Sequence, residues 1–89
     1  MSTAPTWWVI FHEPNPAQMD IVAVEPVPAN PDARRKRLTR SGQRAYIVTA
    51  PNVETAGDIA GRVWAEELVA TPARLAAANA YLTRKARAR

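Results

Sequence analysis

The sequence predicts one small α+β domain over residues 1–89: a three-stranded antiparallel sheet, an amphipathic helix packed on one face of it and a second C-terminal helix. β-Branched and aromatic residues are concentrated in three short segments of the first half, which is typical of strands. Apolar residues recur at helical spacing from residue 53 onward. A chain of 89 residues, 47% of them hydrophobic, is enough for one core.

The first predicted strand runs from Thr6 to His12. Its alternating residues form two largely apolar sets, which is typical of a strand covered on both sides. A proline-stiffened turn at residues 13–18 separates it from a second strand, Met19 to about Glu25, which is also β-branched. The two strands are therefore predicted to form a hairpin.

Residues 26–43 are predicted to form a long loop. Three prolines open this segment, a run of basic residues follows, and Ser41-Gly42 ends it. Loops of this length in a compact domain tend to be functional or disordered. An alternative pairs residues 38–40 with residues 44–46 across Ser41-Gly42, which extends the sheet as a basic ribbon. The third strand is predicted at residues 45–49.

Two helices complete the predicted order. Asn52 is a favourable N-cap, and the apolar positions after it predict an amphipathic helix from Val53 to about Ala70. Thr71-Pro72 is a second start signal, so another helix, with a thin apolar stripe, is predicted from Ala73 towards Arg89. The end of this helix, at residues 83–89, is basic.

A search of the sequence for catalytic or metal-binding residues finds no recognisable set. The chain has no cysteine, which excludes thiolate nucleophiles, disulfides and cysteine zinc sites. Its one histidine, His12, has no identifiable partner for a Ser-His-Asp arrangement, and the three glycines form no phosphate-cradling loop. We therefore predict that the protein is not an enzyme and has no cofactor, metal or small-molecule substrate.

The positive charge of the chain is concentrated in one segment. The formal net charge is +4 and the sequence pI is about 10.4, but arginine and alanine have GC-rich codons, so clustering is more informative than the total. The strongest cluster, called the basic patch below, consists of Arg34, Arg35, Lys36, Arg37, Arg40 and Arg44. It is suited to a phosphate backbone, with Tyr46 as a nearby stacking surface. Its alternatives are a solvated loop or a patch that docks on an acidic protein.

The first strand also predicts an apolar contact surface. If one helix covers one face of the sheet, the residues of the other face need the thin second helix to cover them. An uncovered apolar patch on a small monomer usually marks an interface, and tryptophan is enriched where interfaces concentrate their energy. The predicted contact residues are Trp7, Trp8, Ile10 and Phe11. The alternative is that both helices cover the sheet and these residues are internal.

Two segments carry a resemblance to known proteins. Residues 7–11 (Trp-Trp-Val-Ile-Phe) and 46–56 (Tyr-Ile-Val-Thr-Ala-Pro-Asn-Val-Glu-Thr-Ala) resemble small accessory proteins of tailed phages that infect GC-rich actinobacteria. The shared feature is a strand that leads through a short polar turn into an alanine-rich helix, over about half of the chain. This resemblance implies a minor capsid, decoration or tail-associated protein.

A second resemblance involves the order of elements. Three strands followed by a helix is similar to the arm-binding N-terminal domain of tyrosine integrases, which implies DNA binding through the sheet. Those domains have a short turn where this chain has the proline-rich residues 26–43, and they precede a catalytic domain, of which residues 1–89 show no sequence signal.

These observations support one leading hypothesis and two alternatives. The leading hypothesis is a non-enzymatic protein–protein assembly module, a small phage structural protein that joins a larger assembly or self-associates. The alternatives are a nucleic-acid-binding module that uses the basic segment, and a small inhibitor or antitoxin of a host protein. The apolar runs are far shorter than the roughly 20 residues of a membrane span, and residues 1–5 lack signal-peptide character. We expect cytoplasmic synthesis without export or membrane contact, and incorporation in a virion if the protein is structural.

Overall fold

The computed structural model describes residues 4–88 and has an α+β fold, as predicted. Two strands come first, a helix separates them from the third strand, and two further helices follow. The elements are β1 (Thr6–Asn15), β2 (Gln18–Pro26), α1 (Pro31–Arg40), β3 (Gln43–Thr49), α2 (Val53–Ala70) and α3 (Pro72–Arg87). The predicted three-stranded antiparallel sheet and the predicted bounds of α2 are confirmed.

Strand β1 is the central strand of the sheet, whose order is β2-β1-β3. β1 and β2 form the predicted hairpin, in which Oδ1 of Asn15 accepts a 2.9 Å hydrogen bond from the backbone N–H of Ala17. Both outer strands are antiparallel to β1, so they run parallel to each other. The chain must therefore cross over β1 between the end of β2 and the start of β3. Crossover connections of this kind are usually made by a helix.

That crossover is made by α1, so the prediction of a long loop at residues 26–43 is wrong. The side chain of Asn30 caps the helix by accepting a 3.2 Å hydrogen bond from the N–H of Ala33, and Pro31 occupies the first turn. Arginine and lysine are good helix formers, so the basic run continues the helix that Asn30 begins. Gly42, at φ +73°, turns the chain into β3. The basic-ribbon alternative is wrong as well, because residues 38–40 belong to α1.

The sheet is covered on both faces. Helix α2 packs on one face, where Val9 and Val48 meet Ala56 and Ala60. Helix α1 covers the other face, where its Leu38 joins a second buried cluster. The members of that cluster are Trp8, Ile10, Leu38 and Ala45. The second face is thus covered, over Trp8 and Ile10, by a helix that the sequence prediction had treated as a loop, while Ile47 on that face remains 48% exposed.

Helix α3 packs on α2 and buries one residue, Ala78. Its thin apolar stripe was predicted, and it starts at Pro72, one residue before the predicted Ala73. The hydroxyl of Thr71, between the two helices, donates a 2.8 Å hydrogen bond to the carbonyl of Glu67 and so fixes the turn. The predicted basic end at residues 83–89 falls on the last turns of α3, except that Arg89 lies outside the described residues.

Candidate nucleic-acid interface

The predicted apolar contact residues lie mostly in the core. Trp8 and Phe11 are 0% exposed and Ile10 is 4% exposed, so the prediction that they form a free surface is wrong. Trp8 and Ile10 are covered by α1, and the ring of Phe11 stacks on that of Tyr46 with centroids 4.8 Å apart. Trp7 is partly exposed, and its Nε1 donates a 2.9 Å hydrogen bond to the carbonyl of Ala50. The two apolar faces of β1 are therefore covered by helices of the same chain.

The basic patch divides into residues held by the fold and residues that face outward. Arg34 forms a 2.7 Å ion pair with Glu25 of β2. The guanidinium of Arg35 lies 4.9 Å from the centroid of the Trp8 ring, and its Nη1 donates a 3.2 Å hydrogen bond to the carbonyl of Ala45. Both side chains therefore fasten α1 to the sheet.

Arg44 is held on the opposite face of the sheet, in a cluster of four charges. Its guanidinium lies 3.3 Å from Glu13 and 3.7 Å from Glu67, and Arg74 of α3 pairs with the same two carboxylates at 3.5 and 3.6 Å. The two positive and two negative charges cancel. Although Arg44 belongs to the basic run in sequence, its charge is compensated in the fold.

The other three members of the basic patch are exposed on α1. At about 100° per residue, Lys36, Arg37 and Arg40 fall within an arc of about 100° on the side of the helix away from buried Leu38. No carboxylate within residues 4–88 forms an ion pair with any of the three. We call these three residues the α1 cation face. Asp32, in the first turn, is the one acidic residue of α1.

A small groove lies beside the contact between α1 and β3. Its cavity volume is about 190 Å³, and Arg35 and Thr39 form the helix side while Gln43 and Ala45 belong to the strand side. The complete lining is Arg35, Leu38, Thr39, Gln43, Arg44 and Ala45, with no acidic residue among them. The groove is therefore open to an anion on the same element that carries the α1 cation face.

Tyr46 lies on the wrong side of the sheet to serve as the predicted stacking surface. It packs with the cluster beneath α2 and donates a 2.7 Å hydrogen bond to Oε2 of Glu67. Burial raises the pKa of Tyr46 to about 12, and the hydrogen bond to Glu67 and the charge of that carboxylate act in the same direction. The residues around it, Glu13, Glu67 and Arg74, escaped the sequence prediction because 31 to 61 positions separate Glu13 from its arginine partners.

A second group of cations lies at the C-terminal end of α3. Arg84, Lys85 and Arg87 are exposed there, in the predicted basic segment. Cations are favoured at a helix C-terminus by the helix dipole, so this group needs no partner to explain it. In the α1 cation face, Arg37 and Arg40 also lie in the last turn of their helix and are favoured by its dipole, whereas Lys36 lies before that turn.

Among the residues that the structure describes, the other titratable side chains form no compact cluster. Nε2 of His12 lies 3.7 Å from Oδ2 of Asp20 across the β1–β2 hairpin, with both side chains more than 40% exposed. Among residues 4–88, no three His, Cys, Asp or Glu residues lie close enough to hold a metal ion. None of the helices in this range has the length and apolar character needed to cross a membrane.

No family model, curated protein or solved structure matches the chain.

Proposed function

We propose that this protein is a non-enzymatic module that binds duplex DNA through the α1 cation face. The observation that carries the proposal is the exposure of Lys36, Arg37 and Arg40 on one side of α1 without a compensating carboxylate among the described residues. Cations arranged in this way bind phosphates and release condensed counterions, which supplies most of the affinity of sequence-independent binding.

The same face favours contact with phosphates over recognition of bases. Base-specific readout needs side chains that reach into a groove, whereas lysine and arginine on a shallow surface bind the backbone and set position. The other face of α1 is occupied by the sheet, so only its outward side is accessible. We therefore expect DNA binding with little dependence on sequence.

The positions of the aromatic side chains favour a duplex over a single strand. Single-strand binding proteins stack bases on exposed aromatic rings beside a basic groove. Near α1 the aromatic side chain is Trp8, which is fully buried beneath Arg35, and Phe11 and Tyr46 lie on the opposite face of the sheet. The α1 cation face thus lacks a stacking platform among the described residues.

The assembly hypothesis loses the surface on which it depended. It placed partner contacts on Trp7, Trp8, Ile10 and Phe11, three of which are buried within the chain. A minor capsid, decoration or tail-associated role through these side chains would require the sheet to open, and the inhibitor or antitoxin alternative shares that requirement. We do not propose either role on this surface.

The test is anisotropy of a fluorescein-labelled DNA duplex titrated with the protein at several salt concentrations. We expect affinity that falls steeply between about 50 and 200 mM salt, with a slope of log K against log salt that decreases by about 0.9 for each phosphate contact removed. The triple variant Lys36→Ala, Arg37→Ala, Arg40→Ala should lose most of the affinity and of the slope. Its matched control removes three cations from α3 through Arg84→Ala, Lys85→Ala and Arg87→Ala.

All six substitutions are at exposed positions, so we expect both triple variants to be folded. Circular dichroism checks that they are. Loss of affinity in the α3 variant with none in the α1 variant would overturn the assignment to α1. Absence of binding by the parent protein at low salt would overturn the proposed function itself.

A further inference from the structure

We propose that the groove between α1 and β3 is a subsite for a single phosphate group, held by Arg35 and Gln43. This inference rests on the proposed function and extends it, because it assigns a fixed position to one backbone phosphate of the bound DNA. A free phosphate ion has the same chemistry, so the experiment below separates the two sources.

Two contacts orient the guanidinium of Arg35. It lies over the Trp8 ring at 4.9 Å and uses Nη1 to bind the carbonyl of Ala45 at 3.2 Å. Arginine has five N–H donors, so most of them remain for a ligand. A guanidinium fixed in place loses little conformational entropy when it binds a phosphate, and its planar geometry suits two oxygens at once.

The opposite wall supplies a second donor. Gln43, at the start of β3, lines the groove, and its side-chain amide has two N–H donors. The side-chain hydrogen bonds within the wall run from Arg35 to the carbonyl of Ala45 and from the Thr39 hydroxyl to the carbonyl of Arg35. Neither uses the Gln43 amide, which is therefore available to a ligand.

The charge balance of the groove also favours an anion. No Asp or Glu lines it, and the positive charge of Arg35 has no carboxylate partner within residues 4–88. Arg44, the other charged lining residue, directs its guanidinium to Glu13 and Glu67 on the far face of the sheet. The groove therefore has one uncompensated positive charge, which matches a phosphodiester.

The size of the groove limits what can occupy it. A volume of about 190 Å³ is below the roughly 300–1,000 Å³ of pockets for drug-sized ligands. The groove volume is several times the roughly 30 Å³ that one water molecule occupies in the liquid. A phosphate group with part of its hydration fits this space.

The groove is continuous with the α1 cation face. At about 100° per residue, the order around α1 is Arg35, Thr39, Asp32, Lys36, Arg40, with successive residues separated by about 20–40° and Asp32 in the first turn of the helix. Arg35 and Thr39 line the groove, and Lys36 and Arg40 follow on the exposed surface. A DNA strand with one phosphate beside Arg35 can place its neighbours against Lys36 and Arg40.

The experiment follows side-chain resonances of the ¹⁵N-labelled protein by NMR. Inorganic phosphate is titrated first, and an unlabelled DNA duplex is titrated into a second sample. We expect the Gln43 amide and the Nε–H of Arg35 to shift with both ligands. Gln18, whose amide already accepts from Asn15 and donates to Asp20 at the β1–β2 turn, supplies the reference amide and should not shift with phosphate.

Substitutions place a carboxylate in the groove. Gln43→Glu should abolish the response to phosphate and lower DNA affinity by about tenfold, since an attractive charge-assisted contact becomes a repulsion. Its control, Gln18→Glu, makes the same change in net charge. Thr39→Glu, at an exposed position of α1, approaches the groove from the helix side and should give the same losses if Gln43→Glu is poorly folded.

The outcomes separate the subsite from the proposed function. If Gln43→Glu binds DNA as Gln18→Glu does and neither resonance responds, the subsite is overturned, while loss of binding in the Lys36, Arg37 and Arg40 triple variant still supports the function. If phosphate shifts both resonances but no DNA binds, the subsite stands as a site for a free phosphate and the DNA function is overturned.

Discussion

The phenol of Tyr46 donates a 2.7 Å hydrogen bond to Oε2 of Glu67 and so joins β3 to the last turns of α2. The same carboxylate oxygen lies within 3.7 Å of both Arg44 and Arg74. One glutamate thus connects the sheet, α2 and α3. Each connection is partly exposed to solvent, so its strength is moderate.

The first prediction is that Tyr46→Phe lowers the free energy of unfolding by about 1 kcal/mol at neutral pH, since one hydrogen bond is lost and the ring stacking on Phe11 is kept. The folded-state pKa of Tyr46, about 12, exceeds its ordinary value of 10.0. The stability linked to this raised pKa is therefore complete below pH 10 and is lost as pH rises towards 12. Denaturant unfolding should show a weaker decline across that window in Tyr46→Phe than in Tyr81→Phe. Equal declines would contradict the prediction.

Local sequence signals were enough to predict β1, α2 and the antiparallel sheet. Asn52 followed by helical periodicity located α2, and the same kind of signal, Asn30 followed by Pro31, begins α1. The prediction failed at α1 because its outward side is cationic and it buries only Leu38, so no apolar periodicity marks it. The three prolines of residues 26–31 then favoured a loop.

The candidate interface could be predicted only in part. The basic run was visible in the sequence, but whether each arginine is free depends on partners far along the chain. Arg44 is neutralised by Glu13, 31 positions away, and Arg35 is held by the carbonyl of Ala45. Such pairings follow from the crossover topology, which no local pattern specifies.

The second prediction is that Trp8→Ala acts on folding. Trp8 of β1 is fully buried beneath α1. Truncation of a buried tryptophan lowers the free energy of unfolding by about 3–5 kcal/mol. The free energy of unfolding of a native domain is roughly 5–15 kcal/mol in total, so Trp8→Ala should remove much of it. Denaturant unfolding measures the loss, and Trp7→Ala, at a partly exposed position of the same strand, should cost less. A stable Trp8→Ala variant that has lost self-association would restore the assembly hypothesis.

The third prediction involves the cap of α2. The side chain of Asn52 accepts a 2.8 Å hydrogen bond from the N–H of Thr55, so Asn52→Ala should lower stability by about 1 kcal/mol. Asn79→Ala, at an exposed interior position of α3, makes the same chemical change and should raise stability slightly, because alanine has the higher helix propensity. Thermal unfolding of the two variants should therefore move the midpoint in opposite directions. An unchanged or raised midpoint in Asn52→Ala would show that the cap does not stabilise α2.

The last prediction concerns how α3 is attached. Arg74 lies in the first turn of α3 and forms ion pairs of 3.5 and 3.6 Å with Glu13 and Glu67, which tie the helix to the end of β1 and to α2. Arg74→Ala should cost less than about 1 kcal/mol in global stability, because the pairs are partly exposed. Local unfolding of α3 should be affected more strongly than global unfolding. Amide hydrogen exchange in α3 should therefore become faster while exchange in β1 changes little. Arg84→Ala, a cation of the same helix outside this cluster, is the control and should leave exchange unchanged. Protection of α3 that is identical in both variants would mean that the contact of α3 with α2 around Ala78 is sufficient to hold it.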